Sequence, residues 1–302
     1  MTTITREQPV AATQPLVQPL TQRSLRSDAV RRFFKNRLAV AGLCIVGLFV
    51  TFALFAELIA PTPYDRSVLG ETHQFPSARH WFGTDQVGRD FLSRIIYGAR
   101  VSLIVGFSVQ AIAFGIGLPL GALAGLRGGW VDFVVMRAVE IMTAFPGFLF
   151  AIFIMSVIGT GLPNVILAIG ISSWIDVCRL TRAQFLSLRE REFVVAAHAY
   201  GAGEWRIIFR HLLPQALPAL IIMLALGIPN AIFTEAGLSF LGLGINDPVP
   251  SWGKMVGESI GYIRVYLYLG LIPTVMIALA MLGFNFVGDG MRDALDPTML
   301  RS

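Results

Sequence analysis

A chain of 302 residues with 55% hydrophobic and only 14% charged side chains, at a mean hydropathy of +0.67, is too apolar to be water-soluble. A soluble domain carries about 25% charged residues, and this shortfall would leave too much apolar surface in water. The net charge of +5 does not mark a nucleic-acid binder, because the 24 Lys and Arg sit between long apolar runs rather than in one patch.

Residues 1–30 are polar, rich in Thr, Gln, Pro and Arg, and lack the apolar centre of a cleaved signal peptide. Arg31-Arg32-Phe33-Phe34-Lys35 faintly resembles a twin-arginine export signal. The apolar run after it is long enough to span and has no small-residue cleavage site, so a retained first membrane helix is expected. A spanning helix needs about 20 apolar residues. Stretches 38–60, 100–126, 132–158, 163–180, 215–243 and 266–288 meet or approach that length. The fourth is the weakest, since Asp176 and Ser172-Ser173 interrupt it. These give an all-α membrane protein with six transmembrane helices. Between the spans lie an outer segment at 61–99, an inner loop at 181–214 and a second outer loop at 244–265. The division expected is a tail at 1–30, a first-helix region at 31–99 and a core at 100–298.

Sidedness follows from the cations, which gather on the cytoplasmic side. With the N-terminus inside, 16 of the 24 Lys and Arg fall in inner segments and 7 in outer ones, Arg137 lying in a span. Both termini are therefore expected in the cytoplasm.

No motor is visible. The chain has no G-x-x-x-x-G-K-[ST] phosphate loop, and Gly115, Gly117 and Gly121 do not fit a dinucleotide fingerprint. Gly117, Gly121 and Gly125, at spacing four, instead predict close approach of a neighbouring helix. His73, His80, His198 and His211 show no metal-ligand spacing, and no G-x-S-x-G elbow occurs. Cys44 and Cys178 each lie in an apolar run and read as small buried hydrophobes. Nothing reads as catalytic, metal-binding or cofactor-binding.

Four ionisable residues fall in or near spans, where a charge at mid-bilayer costs about 2.5–3.5 kcal/mol. Arg137 and Glu140, three apart, share a helix face and can neutralise one another. Asp176 and Glu235 have no such neighbour. They could line a polar translocation path, or they could serve inter-helix hydrogen bonding. Four scattered groups do not make a proton relay, and the second reading is favoured. An ion-driven secondary transporter would need Glu140, Asp176 and Glu235 to define one site. A non-transporting anchor is a third possibility.

The inner loop is more informative. Residues 192–200 favour a short helix, Gly201 an αL cap, and a second helix is expected to run to Pro214. Ala196, Ala197 and Ala199 give the first helix small side chains that another protein can grip, although an amphipathic helix lying on the membrane fits as well.

Glu192, Ala196-Ala197, Gly201 with Ala202, and Leu213-Pro214 resemble the EAA loop of ABC importer permeases. Asn36-Arg37-Leu38-Ala39, Phe82-Gly83-Thr84-Asp85-Gln86-Val87-Gly88-Arg89-Asp90, Pro250-Ser251-Trp252-Gly253 and Gly288-Asp289-Gly290-Met291-Arg292-Asp293 are similar to the C-subunit type of dipeptide and oligopeptide permeases. The likeness covers roughly residues 30–298, departing at Ile245-Asn246-Asp247-Pro248, where many relatives carry Gln-Pro-Pro. The resemblance implies a type I ABC importer permease fold in which this loop forms a coupling helix docked on a cytoplasmic ATPase. It implies a homologous second permease, two ATP-binding subunits that hold ATP and Mg, and an extracytoplasmic substrate-binding protein. Peptides are the first substrate class, nickel complexes the second.

Overall fold

The computed structural model describes residues 25–295. Most of the polar tail assigned to 1–30, and Arg301 at the other terminus, lie outside the described residues.

Helix α1 (Leu25–Lys35) is divided from α2 (Arg37–Leu54) by Asn36, whose side-chain oxygen accepts from the amides of Leu38 at 3.0 Å and Ala39 at 3.3 Å. Such a cap contributes about 1 kcal/mol and starts the first span where the charged run ends. After a short α3 (Ala56–Ile59) and an irregular segment, α4 runs Phe91–Arg127, capped by the Asp90 carboxylate, which accepts from the Ser93 amide at 2.8 Å. Helix α4 thus starts before residue 100 and takes the end of the expected outer segment into the bundle. The remaining helices are α5 (Gly129–Thr143), α6 (Gly147–Ile158), α7 (Leu162–Arg189), α8 (Glu192–Ala199), α9 (Glu204–Ile207), α10 (Leu213–Phe240), α11 (Trp252–Ser259) and α12 (Leu267–Leu295).

Five helical runs are long and apolar enough to cross a membrane: α2, α4, α7, the run from α9 through α10, and α12. The stretch predicted as one span at 132–158 is broken, with α5 and α6 meeting at 80° across Ala144-Phe145-Pro146. Phe145 precedes a proline, whose ring disfavours a helical conformation there. Hydropathy averages over that break. Counted as one, the bent pair makes a sixth span. The second helix of the inner loop does not stop at Pro214 either. Ile208–Leu212 forms a π turn that leads into α10, and Pro214 sits in the first turn of α10. Pro214 has no N–H to donate, and the wider π turn just before it accommodates the break in the ladder.

Helix α4 is central, packed on α7, α10 and α2. The glycine ladder fits the spacing argument. A Cβ on Gly117 would lie 2.5 Å from the Trp174 carbonyl oxygen, one on Gly125 2.7 Å from Phe185 Cβ, and one on Gly121 against the Cys178 carbonyl. Cys178 is buried in this seam, as expected, but Cys44 is exposed. The reason is that α2 buries only a stripe of Ala39, Gly42 and Phe49. Trp252 locks α11 into the core: it is almost fully buried, its ring lies 5.1 Å from Phe49, and its indole donates to the Ile95 carbonyl at 3.0 Å.

Asn36 donates to Asp293 at 3.2 Å, which places the start of α2 and the end of α12 together. Arg127, at the end of α4, holds Glu204 at 2.6 Å, so α8 and α9 sit at that same end. The irregular segment between α3 and α4 caps the opposite end with α11.

Candidate functional site

The chain from α8 to α9 forms a hook on one end of the bundle. Val194, Ile207 and Leu212 are fully buried and seat it. Ala197 and Ala202 pack against the same apolar cluster. Gly201 takes φ +76°, its N–H donates to the His198 carbonyl at 2.9 Å, and the Ala202 N–H donates to the Ala197 carbonyl at 3.0 Å. This is a Schellman turn, in which a glycine satisfies the last carbonyls at no steric cost.

The residues predicted for coupling divide in two. Glu192, Ala196, Gly201 and Pro214 are exposed, whereas Ala197, Ala202 and Leu213 are half-buried and hold the hook to its own bundle. The outward face also carries large apolar groups that the sequence reading passed over. Tyr200 is 92% exposed, Val195 58% and Trp205 64%. Trp205 also stacks on Phe209 with ring centroids 5.9 Å apart. Their four-residue spacing was the available signal. Exposed aromatic groups beside a small-residue helix suit a protein interface.

A groove of about 790 Å³ opens between α4, α7 and α10, lined in part by Gln110, Ser172, Ser173, Asp176, Asn230 and Thr234. Of the four ionisable residues singled out from sequence, only Asp176 faces it. Arg137 and Glu140 pair at 2.7 Å, as their spacing predicts, but on a half-exposed face of α5 that lines a separate pocket. Glu235 is fully buried and has partners after all. One of its oxygens accepts from Ser239 at 2.6 Å and Ser251 at 2.7 Å, tying α10 to the start of α11. Glu140, Asp176 and Glu235 therefore do not gather into one site.

At the far end lies an ionic cluster built from the Phe82–Asp90 motif. Arg89 meets Asp85 at 2.5 Å and Asp247 at 3.2 Å. Arg94, whose side chain is fully buried, meets Glu258 at 3.2 Å and Asp85 at 3.4 Å. Lys254 completes the cluster, 3.1 Å from Asp247. Burial pushes the Asp247 carboxyl up, but Lys254 and Arg89 outweigh this and hold it below the ordinary value. Asp247, in the stretch expected to depart from the family pattern, thus has its carboxylate paired with two cations. His80 is buried and bonded to Asp90 at 2.8 Å. Among the described residues no His, Cys, Asp and Glu group suited to a metal ion occurs.

Residues 117–301 match the family described as "Binding-protein-dependent transport system inner membrane component", and residues 24–79 match "N-terminal TM domain of oligopeptide transport permease C". The dipeptide transport system permease protein DppC of Alkalihalophilus pseudofirmus is 45% identical over 90% of each chain. The oligopeptide transport system permease protein OppC of Bacillus subtilis is 38% identical over 97% of this chain and 96% of its own. The glutathione transport system permease protein GsiD of Pectobacterium atrosepticum is 36% identical over 97% and 98%. Among solved structures, the inward-facing MetNI methionine ABC transporter aligns with a TM-score of 0.58, covering 68% of this chain and 97% of that chain at 21% identity. At that identity the likeness establishes the fold.

Proposed function

The chain belongs to the family of binding-protein-dependent transport system inner membrane components, and from that premise we propose that it is the permease subunit of a peptide importer. It is a multi-pass protein of the bacterial inner membrane. In this reading it forms half of a translocation path, and a homologous second permease closes the groove from the other side. Two separate ATP-binding subunits hold ATP and Mg, and an extracytoplasmic binding protein delivers the substrate to the end capped by α11. Both termini and the hook face the cytoplasm, in line with the cation count. The tail at 1–30, the region at 31–99 and the core at 100–298, with its coupling loop at 181–214, are the working divisions. Peptides are favoured as cargo because the relatives named above are dipeptide, oligopeptide and glutathione permeases.

The observation that carries the reading is the hook. It is anchored from beneath by its own apolar residues, yet it presents Val195, Ala196 and Tyr200 outward, exposed among the described residues. An ATPase that grips this face and moves would pull on α7 and α10 directly, since the hook joins them. A relay of ionisable groups, as an ion-driven transporter would need, has no support in the dispersed positions of Glu140, Asp176 and Glu235.

Tyr200→Asp tests this. Loss of one central aromatic anchor costs about 2 kcal/mol or more at an interface. Uptake by the complete importer should fall at least about tenfold, with the chain still inserted at normal levels. Undiminished uptake would count against the proposal.

A further inference from the structure

We infer that the groove wall recognises a zwitterionic solute bearing amide groups: the Asp176 carboxylate receives its ammonium group, and the side-chain amides of Gln110 and Asn230 bond its peptide units. The inference rests on the importer reading above and concerns what that path touches.

The groove's volume of about 790 Å³ falls within the range of ligand pockets, about 300–1,000 Å³. Its polar lining falls into two classes. The hydroxyls of Ser172, Ser173 and Thr234 donate back to carbonyls of their own helices, at 2.9, 2.8 and 2.8 Å. Gln110, Asp176 and Asn230 make no side-chain hydrogen bond to any described residue, although all three line the groove. Gln110 is only 6% exposed, and it reaches the groove past Gly227, where an added Cβ would lie 2.5 Å from the Gln110 amide carbon. Room has been left for a buried amide that the protein itself does not satisfy. Such a group carries two donors and an acceptor, and here they face the groove.

The charges are placed in order. Helices α7 and α10 run in opposite directions from the hook. Asp176 lies midway along α7, and Arg292, near the end of α12, lines the same groove. Asn230 and Gln110 lie deeper. Asp176 and Asn230 are both exposed to the groove, and Gln110 is the buried member of the three. A bare metal cation would ask for several carboxylates, and a neutral sugar for none. One carboxylate, one guanidinium and two amides match the termini and backbone of a short peptide.

The test uses the complete importer in proteoliposomes, with its ATP-binding subunits, second permease and binding protein. ATP-driven uptake of trialanine is compared with that of its des-amino analogue, in the natural protein and in Asp176→Asn. Because the binding protein is the same in both, its own preference divides out of the comparison. The ratio of trialanine to des-amino uptake should fall about tenfold in Asp176→Asn, the effect of losing a charge-assisted hydrogen bond, and Asp176→Glu should keep most of it. Gln110→Leu should lower uptake of both peptides alike. An unchanged ratio in Asp176→Asn would overturn the inference. So would failure of that variant to assemble, since the carboxylate would then be structural. A natural importer that takes up neither peptide would instead sink the functional reading, and this inference with it.

Discussion

Gly121 permits α4 to lie directly on α7, because any side chain there would meet the Cys178 carbonyl. Gly115, on the same helix, faces open space. Gly121→Leu should therefore destabilise the chain by about 1–3 kcal/mol or more, whereas Gly115→Leu should be nearly neutral. Thermal unfolding in detergent distinguishes them, and equal effects would refute the packing argument. Arg94 makes a second case. Its guanidinium is fully buried between Asp85 and Glu258, so Arg94→Met leaves Asp85 with Arg89 alone and removes the nearest cation from Glu258. Removing one partner of a buried pair costs about 3–5 kcal/mol, which the same unfolding assay would register. The glycine ladder was legible in the sequence because spacing four is a local property of one helix. The role of Arg94 was not, because its partner Glu258 lies far away along the chain and only the fold joins them. Asp176 was legible as an interruption of a span, but nothing in the sequence placed it opposite Asn230 and Gln110.

At the scale of elements, hydropathy found the spans and misjudged their shape. Windowed apolarity counts 132–158 as one rod, while Phe145-Pro146 turns it through 80°. The residue-level signal was present and was averaged away. The hook was read more closely, since helix, glycine cap and second helix follow from residue type. Its outward aromatic face is less legible, because Tyr200 and Trp205 lie on separate elements and only the fold brings them to one side. The Schellman turn gives a specific expectation. Gly201→Val forces a β-branched residue to φ +76°, at a cost of roughly 1–2 kcal/mol, while asparagine tolerates that region. Uptake should fall in Gly201→Val and largely survive in Gly201→Asn. Equal loss in both would mean that the glycine serves contact rather than conformation.

For the whole molecule, the architecture separates two jobs along one axis. An ionic cluster and a buried tryptophan fix the far end, and an apolar hook stands out at the other. A groove lined in part by Gln110, Asp176 and Asn230 lies between them. On the proposed reading, the hook lets another protein move the chain while a solute passes along the groove. This requires the hook to lie in the cytoplasm against an ATP-binding subunit. The most direct measurement places a single thiol at that tip: Tyr200→Cys in a Cys44→Ser, Cys178→Ala background, in cells making the whole importer. The account predicts that a membrane-impermeant maleimide leaves it unlabelled in intact cells, and that a short bifunctional reagent links it to the ATP-binding subunit in inverted vesicles. Labelling from outside intact cells would contradict it.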